Sequence, residues 1–301
     1  MSESVKKGVY YMLFASFCFA IMGGFAKELS HSMSAIEVVF FRNVFGVIFL
    51  VATLIRYPLK QKGGKFWLLF FRGFMGFLAL LAFFYNIAHI TLAEAMTYSR
   101  LSPIFTALFA YLFLKEKLYK LGWIGVVIGF VGIIFITRPE GIYDFDKYDI
   151  LGIFSGVGAA LAYTAVRELR EYYDTRSIVL SFMTIGTIGP VILMMIGSFY
   201  TSTNLDYLFA KFIIPDSKEW IWILLLGFSA TLAQVYMTKA YASTKAGIVG
   251  AISYSNIIFS IIIGAILGDK YPDTFTTFGI ILVIIAGVLV TITPKKVKTP
   301  L

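Results

Sequence analysis

Arg100 is hard to explain by packing alone, because it stands within a long apolar stretch, 91–114. A helix that enters the membrane at Thr91 and rises 1.5 Å per residue would place Arg100 about 13 Å deep. A charged side chain near the bilayer centre costs at least about 2.5–3.5 kcal/mol and therefore has a partner. Two roles stay open for Arg100: a contact for an anionic group of a bound molecule, or a fixed ion pair that braces the helices.

Glu94, Tyr98 and Ser102 recur every four residues and would form one polar stripe on a single helix. Glu94 precedes Arg100 by six residues, so the two side chains point in different directions and are poor partners. We therefore expect Glu94 to pair with Arg42 of a neighbouring stretch or, as a buried carboxylic acid, to carry a proton.

Polar side chains interrupt other apolar stretches in the same way. For any one of them, interhelical hydrogen bonding or aromatic packing is the simpler explanation, but the set is stronger evidence than its members. The predicted substrate-binding residues are Arg100, Tyr98, Ser102, Glu94, Asn86, Gln234, Ser253, Asn256 and Tyr163. The predicted structural or coupling charges are Glu37, Arg42, Glu94 and Arg72.

Composition decides which class of protein holds these residues. The chain has 301 residues, of which 59% are hydrophobic and 14% are charged, too few charges to cover a soluble protein of this size. One cysteine and two histidines exclude a disulfide framework and multi-histidine metal sites. The net charge of +9 is spread between apolar runs, so nucleic acid is not an expected partner. We predict no catalytic residues, metal or cofactor.

Ten apolar stretches are long enough to cross a membrane as helices. We predict them at 8–27, 36–55, 66–88, 91–114, 121–137, 150–169, 177–199, 220–242, 246–267 and 274–293. Lysine and arginine concentrate in every second connection, on the side that also holds both termini, whereas acidic residues concentrate on the other side. By the positive-inside rule, both termini are expected in the cytoplasm.

The chain also contains an internal repeat. The stretch 84–137 resembles the stretch 237–291 at a shift of about 153 residues, which matches Glu116 with Asp269. We predict two five-helix halves, at 1–140 and 150–294, followed by a basic cytoplasmic tail at 295–301. Because five is odd, the second half would be inverted relative to the first, an arrangement typical of secondary transporters.

Several motifs of the first half carry a family resemblance. They are Arg72-Gly73, Phe84-Tyr85-Asn86-Ile87-Ala88, Leu92-Ala93-Glu94-Ala95, Leu101-Ser102-Pro103 and Leu114-Lys115-Glu116-Lys117. With them the chain resembles the drug/metabolite transporter superfamily and, more narrowly, its ten-span EamA family. In the second half, Asn256 stands where the repeat would place the counterpart of Pro103. The resemblance implies carriage of small polar metabolites through a central cavity lined by both halves.

The sequence thus predicts an all-α polytopic protein of the inner (cytoplasmic) membrane. Its expected function is secondary active transport of a small polar or amphiphilic metabolite by alternating access. The resemblance suggests an amino-acid-like, riboflavin-like or S-adenosylmethionine-like solute. The expected partners are that solute, membrane lipids and a coupling proton; the oligomeric state stays open. The alternatives are a membrane-embedded enzyme acting on lipid-linked substrates and a non-transporting scaffold.

Overall fold

A computed structural model describes residues 3–56, 62–114, 120–137, 146–169, 171–200, 205–243, 249 and 252–291. Regular structure in these ranges is helical, without strands. The helices are α1 (Glu3–Leu29), α2 (Ala35–Arg56), α3 (Phe66–His89), α4 (Leu92–Ser99), α5 (Ser102–Leu114), α6 (Lys120–Thr137), α7 (Lys147–Leu169), α8 (Thr175–Gly197), α9 (Glu219–Ser243), α10 (Ser255–Ile266) and α11 (Thr274–Thr291). The tail at 295–301 lies outside the described residues.

The outer surface of the bundle is apolar, as expected for a protein surrounded by lipid. Six of the described helices are long and apolar enough to cross a membrane, namely α1, α2, α3, α7, α8 and α9. Large apolar side chains point outward from them; for example, Ile55 is 80% exposed and Trp67 is 79% exposed. In water such a surface would be an aggregation liability, so the chain is a multi-pass membrane protein.

The predicted span 91–114 is two helices rather than one. α4 ends at Ser99, a turn follows at Arg100 and Leu101, and α5 begins at Ser102. Pro103 explains the break, because proline has no N–H to donate and its ring clashes with the carbonyl four residues earlier. The predicted continuous stripe of Glu94, Tyr98 and Ser102 is therefore wrong, since Ser102 belongs to a new helix.

A second break faces the first. α10 begins at Ser255 after a turn at Tyr254, although position 256 is asparagine rather than proline. The Tyr254 hydroxyl donates a hydrogen bond to the Arg100 carbonyl at 3.1 Å. Within the predicted ninth span, 246–267, residues 246–248, 250 and 251 lie outside the described residues. The two interrupted elements thus meet at their turns.

Most helix packing joins the two predicted halves of the chain. α1 packs on α9 and α10, and α3 packs on α7 and α8. α2 packs on α8 and α9, α5 packs on α7, α4 packs on α10, and α6 packs on α11. Small residues allow two close contacts: Gly152 of α7 lies against the Tyr98 ring of α4 and Gly156 against the turn that follows, and Gly132 of α6 lies against Gly279 of α11.

The bundle has two chemically different ends. We call the one that carries Asp146, Asp149, Asp206 and Asp269 the acidic end; there α1 and α3 end, and α2, α4 and α7 begin. We call the opposite one, with Arg56, Lys65, Arg176 and Lys239, the basic end. Lys65 and Glu168 form an ion pair at the basic end, between the start of α3 and the end of α7.

Candidate functional site

A cavity of about 310 Å³ lies between α2, α8 and α9, in the half of the bundle towards the basic end. Its walls are mostly apolar, from Phe49 and Leu50 of α2 and Val179 and Met183 of α8. The polar side chains that line it are Arg42, Thr53, Arg176, Thr231, Gln234 and Lys239. Three of these are cationic, and no described lining residue is acidic. A small-molecule site typically has this composition, apolar walls with a few polar groups.

Arg42 is the most deeply buried cation of this cavity, with 7% of its surface exposed. Its Nη1 donates to Oδ1 of Asn43 at 2.9 Å, while its Nε is buried without a hydrogen-bond partner among the residues described. Asn43 is itself held in place, because its Nδ2 donates to the carbonyls of Val39 and Gly186 at 2.8 and 3.1 Å. The side chain of Arg42 is thus oriented by a neutral group rather than by a carboxylate.

Arg72 of α3 lies beside Arg42. The two guanidinium groups share one aromatic neighbour, Phe182, at 4.7 Å for Arg72 and 5.6 Å for Arg42. Nε and Nη1 of Arg72 are buried without a partner in the described part of the chain. Cation–π contacts of this kind are worth about 0.5–2 kcal/mol, less than a buried positive charge needs. Together the two arginines make this region strongly electropositive.

The acidic end of the bundle is closed by polar contacts between elements. Lys27, at the end of α1, forms an ion pair with Asp269, which follows α10. The Lys27 ammonium also donates to the Ile90 carbonyl at 3.0 Å, and Asp269 accepts from the Leu92 N–H at 2.8 Å. These two side chains therefore connect the ends of α1, α3 and α10 to the beginning of α4. We call this group of contacts the Lys27–Asp269 latch.

Three further side-chain contacts close the same end. The Tyr98 hydroxyl donates to Asp149 at 2.5 Å, which joins α4 to the start of α7. Asp206 accepts hydrogen bonds from Tyr85 at 2.7 Å and from Lys147 at 3.1 Å. The segment before α9 therefore covers the end of α3 and the start of α7. Burial raises the pKa of Asp206. The two hydrogen bonds and the charge of Lys147 together lower it by more, so the pKa of Asp206 lies below its ordinary value.

A match to a known protein family adds to this geometry. The model of the EamA-like transporter family matches residues 6–138 and 146–293. The chain belongs to the EamA-like transporter family. An uncharacterized transporter of Helicobacter pylori is 36% identical over 297 residues, with 96% of each chain covered. A pseudopaline exporter of Pseudomonas aeruginosa is 32% identical and covers 97% of this chain and 99% of its own. An S-adenosylmethionine uptake transporter of Rickettsia conorii is 24% identical, with 90% and 87% covered.

In this EamA-like transporter, Glu94 does not form the expected pair with Arg42. Its carboxylate accepts from the side chain and backbone of Thr91 at 2.8 and 3.2 Å, and Thr91 in turn caps the Glu94 N–H. This is a capping box at the start of α4, which satisfies backbone donors that lipid cannot satisfy. Glu37 does the same for α2 with Ser34 and also accepts from the Ile213 N–H at 2.7 Å.

Arg100 lies at the turn between α4 and α5 rather than in a helix. Its guanidinium is 6.0 Å from the Phe19 ring, and it does not line the cavity between α2, α8 and α9. Tyr98 and Ser102, on either side of the turn, are buried. The structure therefore brings the predicted Arg100, Tyr98 and Ser102 together at the helix break, away from the cavity.

The remaining predicted residues of the EamA-like transporter fall into four places. Gln234 lines the cavity. Asn86 and Asn256 are buried between helices, where their Nδ2 groups donate to the Tyr148 and Ser16 carbonyls, each at 2.9 Å. Ser253 is buried just before α10, and Tyr163 is half exposed on α7. Gln234 is thus the predicted binding residue that the cavity contains.

Two cations of the cavity, Arg176 and Lys239, were not predicted as site residues, and the third, Arg42, was predicted in another role. Arg176 and Lys239 stand near helix ends, where a basic residue ordinarily indicates orientation. Arg42 was expected to be structural or to couple transport. Only the packing of α2 against α8 and α9 shows that all three line one space. In the described parts of the chain, no three His, Cys, Asp or Glu side chains are grouped as a metal site needs.

Proposed function

We propose that this protein is a secondary active transporter that carries a small polar or amphiphilic metabolite across the cytoplasmic membrane by alternating access. The observation that carries the proposal is that the two ends of the bundle differ in accessibility. The cavity reaches the basic end at Arg176 and Lys239, whereas the acidic end is closed by the Lys27–Asp269 latch and its neighbours. A carrier halted with one side accessible would have this arrangement.

The helix contacts support an inverted repeat. If the halves are matched in order, α1 corresponds to α7, α2 to α8, α3 to α9, α4 and α5 to α10, and α6 to α11. The contact of α1 with α9 then corresponds to that of α7 with α3, and the contact of α5 with α7 to that of α10 with α1. The pairs α2–α8, α4–α10 and α6–α11 each correspond to themselves. Exchange of the halves would turn one accessible state into the other.

Opening the acidic end would require the latch to separate. Lys27 belongs to the first half and Asp269 to the second, and their side chains are 15% and 13% exposed. A partly buried pair of this kind is stabilising but not permanent, because water can solvate both groups once the helices part. The charge distribution supports a cytoplasmic location for the basic end and both termini.

The direction of transport follows from the coupling and not from the fold. One relative is a pseudopaline exporter and another is an S-adenosylmethionine uptake transporter, so similar chains work in both directions. We propose a proton as the coupling ion. In this proposal a transmembrane pH gradient would drive accumulation of solute on one side, and a gradient of the solute alone would drive exchange.

Counterflow in liposomes tests the proposal. Purified full-length protein is reconstituted, the vesicles are loaded with a metabolite extract, and exchange is followed by mass spectrometry with and without a pH gradient. We expect at least one solute to exchange saturably and to accumulate when the gradient is imposed. Protein-free vesicles are the control. Non-saturable flux would indicate a channel, and the absence of flux for every solute would contradict the proposal.

A further inference from the structure

We propose that the cavity between α2, α8 and α9 is the substrate site and that its ligand is a small organic oxyanion, with its anionic group at Arg42. This inference rests on the proposed transport function and names the class of its substrate. It is carried by the charges that line the cavity and by the burial of Arg42.

The charges of the lining are not balanced within the described residues. Arg176 is paired, because its Nε and Nη2 donate to the two carboxylate oxygens of Asp174 at 3.1 and 3.2 Å. Arg42 and Lys239 have no acidic partner within ion-pair distance in the described ranges. Lys239 instead lies 4.9 Å from the Tyr236 ring. The cavity therefore keeps an excess of positive charge that an anion would neutralise.

The depth of Arg42 makes this excess of positive charge costly. A buried charge is ordinarily paired or coordinated, because its loss of hydration is otherwise uncompensated. Arg42 is hydrogen-bonded only to a neutral amide among the described groups, and the adjacent Arg72 adds a second positive charge rather than a counterion. An arginine presents paired donors that match a carboxylate or a phosphate. A bound oxyanion would supply the missing partner.

The rest of the cavity fits the non-ionic part of such a ligand. Phe49, Leu50 and Val179 form an apolar wall, and Gln234 adds an amide that can both donate and accept hydrogen bonds. The Thr231 hydroxyl is already used by the Gly227 carbonyl at 2.8 Å. The volume of about 310 Å³ is at the lower end of the roughly 300–1,000 Å³ typical of small-molecule sites. We therefore expect a compact solute with one apolar portion.

Thermal unfolding with charge-matched probes tests the inference on the purified full chain. The probes are N-acetylphenylalanine and its amide, hippurate and its amide, and phenyl phosphate and phenol. We expect at least one anion to raise Tm by about 2 °C or more at saturating concentration, while its neutral counterpart does not. A shift with the carboxylates alone would assign the site to carboxylates, and a shift with phenyl phosphate alone would assign it to phosphates.

Variants connect the effect to the site. Arg42→Gln should abolish the shift, and Arg42→Lys should keep a smaller one because the charge remains without the paired donors. Arg56→Gln is the matched control, since Arg56 is an exposed arginine of the same helix outside the lining. If Arg42→Gln does not fold, Lys239→Gln, at the exposed end of the cavity, is expected to weaken the shift.

Three outcomes would overturn the inference: no anion raises Tm, the neutral probes stabilise the protein equally, or the shift persists in Arg42→Gln. Counterflow separates this failure from failure of the proposed function. Saturable exchange of neutral or cationic solutes without any exchange of anions would reject the oxyanion and retain the transporter. Absence of exchange for every solute would reject both.

Discussion

The polar residues of this protein serve mainly to satisfy backbone groups and to tie helices together. Glu37 and Glu94 cap α2 and α4, and Asn86 and Asn256 donate to carbonyls of neighbouring helices. Lipid offers no hydrogen bonds to helix ends or carbonyls, so the chain must supply them. Burial of a polar residue in a membrane span is therefore weak evidence for substrate contact. Arg42 differs because none of the residues described around it compensates its charge.

Glu94→Ala should destabilise the protein without abolishing transport. Loss of a capping side chain costs about 0.5–2 kcal/mol, so we expect a Tm lower by a few degrees. Glu94→Gln should retain most of the stability, because an amide oxygen can still accept from Thr91. Thermal unfolding and counterflow on the same preparations check this. Unchanged stability with loss of pH-driven accumulation would instead identify Glu94 as the proton carrier.

Among the helices, the two breaks at Arg100 and Tyr254 determine how the neighbouring elements pack near the centre of the bundle. Gly152 of α7 lies against the Tyr98 ring at the end of α4, Gly156 lies against the turn that follows, and Tyr254 at the start of α10 reaches the Arg100 carbonyl. The rings and turns at this point leave no room for larger side chains: a Cβ on Gly152 would lie 2.5 Å from the ring of Tyr98. Small residues on α7 are thus required for the contact between α4 and α7.

Gly152→Val should prevent this packing and sharply reduce the yield of folded protein. The added side chain would displace Tyr98 and break its hydrogen bond to Asp149, and overpacking of this kind costs about 1–3 kcal/mol or more. Gly158→Ala on the same helix is the control, since its Cβ would come no closer than 3.1 Å to Ala79. Size-exclusion profiles in detergent check the pair. Equal profiles for Gly152→Val and wild type would contradict the packing described.

Sequence alone predicted the helical class and the family, because apolar length and short motifs such as Leu92-Ala93-Glu94-Ala95 are local properties. The break before Pro103 has a local cause, and the Ser34–Glu37 and Thr91–Glu94 capping boxes follow a readable spacing. The break at Tyr254 has no proline to indicate it. The cavity could not be predicted, because Arg42, Arg176 and Lys239 are brought together only by packing of α2, α8 and α9. Helical periodicity gives the face of a residue but not its partner.

In the molecule as a whole, alternating access depends on the closed acidic end. Lys27→Met should weaken the latch, because Asp269 would then lack its ion-pair partner while remaining partly buried. We expect the population of molecules open at the acidic end to rise. Lys7→Met is the control, since the pair of Lys7 with Glu3 is exposed on the first turns of α1. In transport assays, this larger open population of Lys27→Met should appear as faster counterflow or as a change in the preferred direction of counterflow.

Accessibility of the cavity from each side of the membrane is a direct test of alternating access. In a Cys18→Ala background, Thr231→Cys places a single thiol in the cavity, and a membrane-impermeant maleimide is applied to vesicles of either orientation. We expect labelling mainly from the cytoplasmic side, with labelling from the opposite side increasing when Lys27→Met is added. Equal labelling from both sides, unaffected by Lys27→Met, would contradict alternating access.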